Sequence, residues 1–182
     1  KGEADLYKFF IELSISLSKP GGDIALIIPA GLIRSQGTEE LRKFLLASCS
    51  KLKFTIFENR AKFFGIDTRF KFLTLIAKNQ NGDKKKPVKL AYATGDETKV
   101  LEYSQANIGR STLKKIRKDL SVPEVRCNDE WKIFKDFSIK GKRLGDPDWL
   151  WKPQICREVE MTRDKPFFSE EGNFGLLPLV EG

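Results

Sequence analysis

The chain has no histidine among its 182 residues. That excludes a Ser–His or Cys–His catalytic unit, and a histidine-ligated metal site, built from this chain. It has three cysteines, Cys49, Cys127 and Cys156. They are widely spaced and odd in number, which fits reduced cytosolic thiols better than a disulfide framework. No apolar run is long enough to span a membrane: Lys19 and Pro20 stop the first apolar segment and Pro29 stops the next. No signal peptide is visible. The chain starts at Lys1 without a methionine, so its natural start is expected upstream. GxGxxG and P-loop motifs are lacking, which leaves phosphate binding by either without support. There is no Pro-Pro pair, no internal repeat and no low-complexity tract.

What remains is a globular composition, 40% hydrophobic and 32% charged, on a length suited to one domain or one and a half. The net charge of +8 favours polyanionic partners, although many globular proteins are as basic. Residues 5–18 (DLYKFFIELSISLS) carry apolar side chains at 6, 9, 10, 13 and 17, which is helical spacing, with Asp5 as N-cap. Lys19-Pro20-Gly21-Gly22 ends that helix. Residues 23–29 (DIALIIP) form a continuous apolar run that suits a strand covered on both faces. Residues 37–48 predict an amphipathic helix capped by Thr38, with Leu41, Phe44 and Leu45 on its buried side.

The most informative stretch is 55–77, TIFENRAKFFGIDTRFKFLTLIA. Two strands, near 52–57 and 70–77, flank an irregular loop, and so short a connection predicts antiparallel neighbours. Phe63 and Phe64 sit in this otherwise polar loop. Exposed apolar surface is costly, so the rings either tuck under the sheet or face a ligand. The order helix, strand, helix, strand, strand reads as the closing half of an α/β sheet with one crossover unit. The first helix then needs a sheet partner upstream.

The polar stretch 79–87 is the best boundary, dividing the chain into 1–80 and 81–182. Beyond it come a strand at 88–92, placed at the sheet edge, and a basic helix at 113–120 capped by Ser111 or Thr112. A helix at 129–139 follows, with Trp131, Ile133, Phe134 and Phe137 on its apolar side. The remainder reads as loop-rich, making 81–182 a mixed α+β extension. Glu39/Glu40 and Glu170/Glu171 read as solvated carboxylates. Trp131, Trp149 and Trp151 read as packing anchors. Arg110, Lys114, Lys115, Arg117 and Lys118 form a basic cluster in which Lys114, Arg117 and Lys118 share a helical face, suited either to phosphates or to water.

Taken in order, DLYKFFIELSISLSKPGGDIALIIP, GTEELRKFLL and FENRAKFFGIDTRFKFLTLIA resemble the second half of the catalytic domain of N6-adenine DNA methyltransferases. The nearest likeness is to the large methylases of restriction–modification and phage-defence systems, including type IIG enzymes. LGDPDW, REVEMTRD and LPLVEG resemble, more loosely, the segment leading into DNA target recognition.

The resemblance implies a Rossmann-like seven-stranded sheet binding S-adenosylmethionine, double-stranded DNA as substrate, a flipped-out adenine and a cytoplasmic enzyme of a bacterium or archaeon. The family's glycine-rich cofactor loop and its Asn/Asp-Pro-Pro-Tyr/Phe loop are not in this chain. It therefore offers no cofactor-binding or catalytic residue, and the fragment alone is expected to be inactive. What maps is the aromatic loop: Phe64, then Phe63, would stack on the target base. Asn59, Arg60, Lys62 and Arg69 beside them, and Lys114, Arg117 and Lys118 farther on, would touch DNA, each also readable as solvated surface. Two alternatives stand beside this reading: a non-catalytic basic nucleic-acid-binding module, and a half-sheet that self-associates through its open edge.

Overall fold

The computed structural model of the protein describes residues 5–82, 85–93, 103–143, 146–148, 150, 153–154 and 163–169. Helix α1 (Leu6–Leu17) starts after Asp5. Asp5 has the extended backbone of an N-cap, but its side chain makes no capping bond. The helix buries a different side from the one its spacing predicts. Ile11 and Ile15 enter the core, whereas Leu6, Phe9, Phe10, Leu13 and Leu17 are all exposed. A polar contact fixes this rotation. The Asn79 carboxamide donates to the carbonyls of Ile15 and Ser18 at 2.9 and 2.8 Å and ties the end of the helix to the sheet. Gly21, at φ 77°, makes the turn that follows.

Strand β1 (Asp23–Pro29) leads into a short helix α2 (Gly31–Arg34), a 3₁₀ turn (Gln36–Thr38) and helix α3 (Glu39–Ser48). Leu41 and Leu45 of α3 are buried as expected, and Phe44 packs on the core in part. Thr38 is at the N-cap, but its hydroxyl turns away from the helix, toward the carbonyls of Gly31, Leu32 and Ser35. Strands β2 (Cys49–Glu58) and β3 (Lys71–Asn79) come next, with a bulge in β2 between Ser50 and Lys53 where Lys51 adopts φ 49°. Strands β4 (Val88–Ala93) and β5 (Tyr103–Ile108) complete the described sheet, followed by helices α4 (Arg110–Ile116) and α5 (Asn128–Lys140).

The five strands form one mixed sheet in the order β1-β3-β2-β4-β5. β2 and β3 are antiparallel neighbours, as their short connection predicts. β3 also pairs antiparallel with β1, so it lies between β1 and β2, and the crossover from β1 to β2 spans it. β4 is an interior strand paired parallel to β2, and β5 takes the edge position expected for β4. The boundary expected near residue 80 falls between strands of this sheet. By contacts the chain divides into Lys1–Gly141 and Lys142–Gly182.

One sheet face carries Ile24, Ile28, Leu73, Leu75, Phe54, Ile56 and Leu90, which share a core with Ile11, Ile15, Leu41 and Leu45 of the helices. The other face leaves Ala25, Ile27 and Pro29 of β1 and Ile76 of β3 exposed. β1 is thus covered on one side, not two.

Helix α4 is shorter than predicted and starts earlier, at Arg110 after Gly109. It stops at Ile116 because Arg117 leaves helical geometry and gives its guanidinium to Ser121, beside Asp119. Only Trp131 of α5 is buried; Phe134 packs in part, and Ile133 and Phe137 are exposed. In Lys142–Gly182, Lys142 pairs with Asp148 at 2.9 Å, Asp146 accepts from the Arg143 amide, and Lys165–Phe167 form a 3₁₀ turn. Trp149, Trp151, Cys156, Glu170, Glu171, the LPLVEG terminus and most of REVEMTRD lie outside the described residues.

Candidate nucleic-acid interface at the carboxyl edge of the sheet

β1 and β2 both run antiparallel to β3, and β4 runs parallel to β2. The carboxyl ends of β1, β2 and β4, at Pro29, Glu58 and Ala93, therefore share one edge. Ligands of open α/β sheets bind outside such carboxyl ends. The loop between Glu58 and Lys71 leaves the sheet at this edge.

Four aromatic rings meet there. Phe57 and Phe72, opposite each other on β2 and β3, stack with centroids 5.1 Å apart. Phe64 and Phe63 each set an edge against Phe72, at 4.9 and 5.9 Å. Phe63 and Phe64 nevertheless remain 44% and 41% exposed. Each ring is seated on the sheet along one side and open to solvent on another. Ile66 and Phe70 extend the exposed apolar surface.

Asn59 does not face a phosphate. It is fully buried, its carboxamide oxygen accepts from the Phe64 amide at 3.0 Å, and its nitrogen donates to the carbonyls of Phe64 and Ile66 at 3.1 and 3.0 Å. Its hydrogen-bonding capacity is used inside the loop. Arg60, Lys62 and Arg69 are exposed. Arg60 pairs with Glu58 at 2.8 Å. Arg69 holds Asp67 in a fork, and its hydrogen bonds pull the Asp67 carboxyl down to about 2.

The same edge carries an ionic cluster that sequence reading missed. Glu58 accepts from the Tyr92 hydroxyl at 2.6 Å, and that bond, with nearby cations, holds its carboxyl below the ordinary range. Lys71 pairs with Glu124 at 2.6 Å, and Arg34 reaches the other oxygen of Glu124 at 2.9 Å. Burial works against the Lys71 charge, but its bonds to Glu124 and Tyr92 prevail and raise its pKa. Arg126 lies over the Tyr92 ring. A cleft of about 430 Å³ opens between Glu58, Arg60, Thr68, Arg69 and Lys71. The signal in the sequence was the charge flanking each strand end, but the partners Tyr92 and Glu124 are distant in the chain.

The second basic cluster is elsewhere. Lys114 and Lys118 line a cleft of about 610 Å³ with Lys43, Leu46, Ala47, Arg110, Ser111 and Leu120. Leu46 and Ala47 immediately precede β2, so this cleft adjoins the amino end of β2, roughly 30 Å along that strand from the aromatic loop. Arg117 does not line it, since its guanidinium is engaged by Ser121. The three residues expected on one helix face are thus split.

No group of three or more histidine, cysteine or carboxylate side chains is placed to hold a metal among the described residues. Nor do the described residues at the carboxyl edge fit S-adenosylmethionine. The segment after β1 buries Leu32 and Ile33, the segment after β2 is closed around Asn59, and the cleft within the loop from Glu58 to Lys71 is lined mainly by charged groups.

Comparison with known proteins adds similarities over part of the chain. Residues 1–64 match the model of the Eco57I restriction-modification methylase family. The chain is 30% identical over 97 residues to the type II methyltransferase M.BsuBI of Bacillus subtilis, a stretch covering 53% of this chain and 19% of that protein. Among solved structures it is similar to the type IIG restriction endonuclease BpuSI, at 18% identity and a TM-score of 0.44, covering 69% of this chain and 13% of that one. The chain thus spans about one-fifth of the length of the methyltransferase it matches. Over residues 1–64 it is similar to the restriction-modification methylases of the Eco57I family.

Proposed function

We propose that the chain is the target-base side of an S-adenosylmethionine-dependent DNA methyltransferase that modifies adenine at N6, within a restriction–modification or phage-defence system. In this reading the described sheet is the closing half of a Rossmann-like sheet, and residues 81–182 lead toward DNA target recognition. The observation that carries the proposal is the aromatic loop at the carboxyl edge: Phe64 and Phe63 are seated on Phe72 but open to a ligand, among Arg60, Lys62 and Arg69. Bases stack on such rings, and neighbouring cations hold phosphates. Phe64 would carry the flipped adenine, with Phe63 beside it. The methyl donor belongs to other parts of the enzyme.

The test is chemical. DNA modified by an active methylase carrying this segment, digested to nucleosides, is expected to contain N6-methyladenine. Methylcytosine without N6-methyladenine would refute the assignment. The chain by itself is expected to show no tight binding of S-adenosylmethionine in calorimetry, and micromolar binding would contradict the division of labour.

A second reading rests on the basic cleft of Lys43, Arg110, Lys114 and Lys118. It makes the chain a non-catalytic nucleic-acid-binding module. Loss of duplex binding in Lys114→Glu/Lys118→Glu, with none in Arg60→Glu/Arg69→Glu, would favour it over the first.

A further inference from the structure

We infer that Asn59 is a positioning residue whose carboxamide holds Phe64 ready for the target base. The inference rests on the reading of Phe64 as the stacking residue. One side chain grips the Phe64 peptide on both sides: Asn59 Oδ1 accepts from the Phe64 amide at 3.0 Å, and Nδ2 donates to the Phe64 carbonyl at 3.1 Å. The second proton on Nδ2 goes to the Ile66 carbonyl at 3.0 Å. These partners fix the orientation of the amide, because its oxygen faces an N–H and its nitrogen faces three carbonyls, that of Asp67 at 3.4 Å being the third.

The Asn59 backbone closes the same ring. Its N–H donates to the Phe70 carbonyl at 3.0 Å, and its carbonyl accepts from Lys62 at 2.9 Å, where Lys62 takes the left-handed conformation that reverses the chain. Nothing comparable holds the Phe63 peptide among the described hydrogen bonds, although both rings meet Phe72 by an edge. The loop is exposed from Lys62 to Phe70, while Asn59 beneath it is fully buried. A polar side chain thus replaces the apolar core that so open a loop lacks. Pre-ordering a binding loop removes the ordering cost from the binding step, so the grip on Phe64 acts on the target base without Asn59 touching it.

A double-substitution cycle tests this in an active methylase that carries the segment. Phe64→Ala and Asn59→Ala are each expected to lower kcat/KM for DNA at least roughly fivefold, leaving the Kd for S-adenosylmethionine within about twofold. The combined variant is expected to be no slower than the worse single one. Multiplying effects, or full activity in Asn59→Ala, would overturn the positioning role. Full activity in Phe64→Ala would instead remove the stacking reading itself. If Asn59→Ala does not fold, Asn59→Leu serves, since it keeps the size but lacks the acceptor and both donors. Its Phe64 amide is expected to exchange with solvent at least roughly tenfold faster, and unchanged exchange would overturn the inference.

Discussion

Arg42 is 3% exposed on the inner side of α3 and donates to the Thr38 hydroxyl oxygen at 2.6 Å and to backbone: the Leu32 and Ser35 carbonyls at 2.9 and 2.8 Å, and the Asp119 carbonyl at 3.0 and 2.8 Å. It joins the segment after β1 to the segment after α4. Truncating it removes five buried or part-buried hydrogen bonds, each contributing about 0.5–1.5 kcal/mol net. Arg42→Ala is therefore expected to lower stability by about 3 kcal/mol or more in urea unfolding, and a loss below about 1 kcal/mol would contradict this role. Asp67 gives a pH prediction. Its carboxyl titrates at about 2 against an ordinary 3.8 because Arg69 bonds the ionised form. A depressed carboxyl stabilises the fold fully above its unfolded value, and that contribution is lost as pH falls through about 2. The pair lies in solvent, so salt weakens the effect. A carboxyl-carbon NMR titration is expected to place Asp67 near 2, with Arg69→Ala returning it toward 3.8; an ordinary midpoint in the unsubstituted chain would contradict the pairing. The sequence marked residues 59–69 as a charged aromatic loop. It did not separate Asn59 from its neighbours, because burial of one amide depends on how the loop folds over it.

At the scale of elements, α1 shows what periodicity can and cannot reveal. The spacing of Leu6, Phe9, Phe10, Leu13 and Leu17 correctly marks a helix, yet Ile11 and Ile15 are the side chains that pack on the sheet. A helix apolar on two sides has two candidate inner faces, and here the bonds from Asn79, far along the chain, accompany the choice. Ile11→Ala is expected to cost about 2–5 kcal/mol, as for other fully buried aliphatic side chains. Leu13→Ser, on the exposed stripe, is expected to change stability of this chain by less than about 1 kcal/mol. The reverse ranking in chemical unfolding would contradict the orientation. The short connection between β2 and β3 was equally legible. The insertion of β3 between β1 and β2, and the interior place of β4, were not, because strand order is set by long-range pairing.

For the whole molecule, the open face of β1 and β3 and the outer stripe of α1 leave Ile27, Ile76, Phe9, Phe10 and Leu17 in water. These are two separate exposed apolar surfaces, and such surfaces favour association. The isolated chain is expected to sediment as a self-associating species whose mass rises with concentration, and Phe9→Ser/Leu13→Ser/Leu17→Ser is expected to reduce this. A concentration-independent monomer would contradict the expectation. The two basic clusters lie near opposite ends of β2, so the candidate base site draws on Arg60, Lys62 and Arg69 rather than on Lys114 and Lys118.

The central claim is that the loop at the carboxyl edge holds the target base through Phe64. Methylation kinetics of Phe64→Ala, in an active enzyme carrying this segment, test it most directly. Loss of about 1–3 kcal/mol of stacking corresponds to a fall of roughly 5- to 150-fold in kcat/KM for DNA. The account predicts that fall, with the Kd for S-adenosylmethionine essentially unchanged. Unaltered methylation would contradict it and leave the ring as part of the sheet's packing.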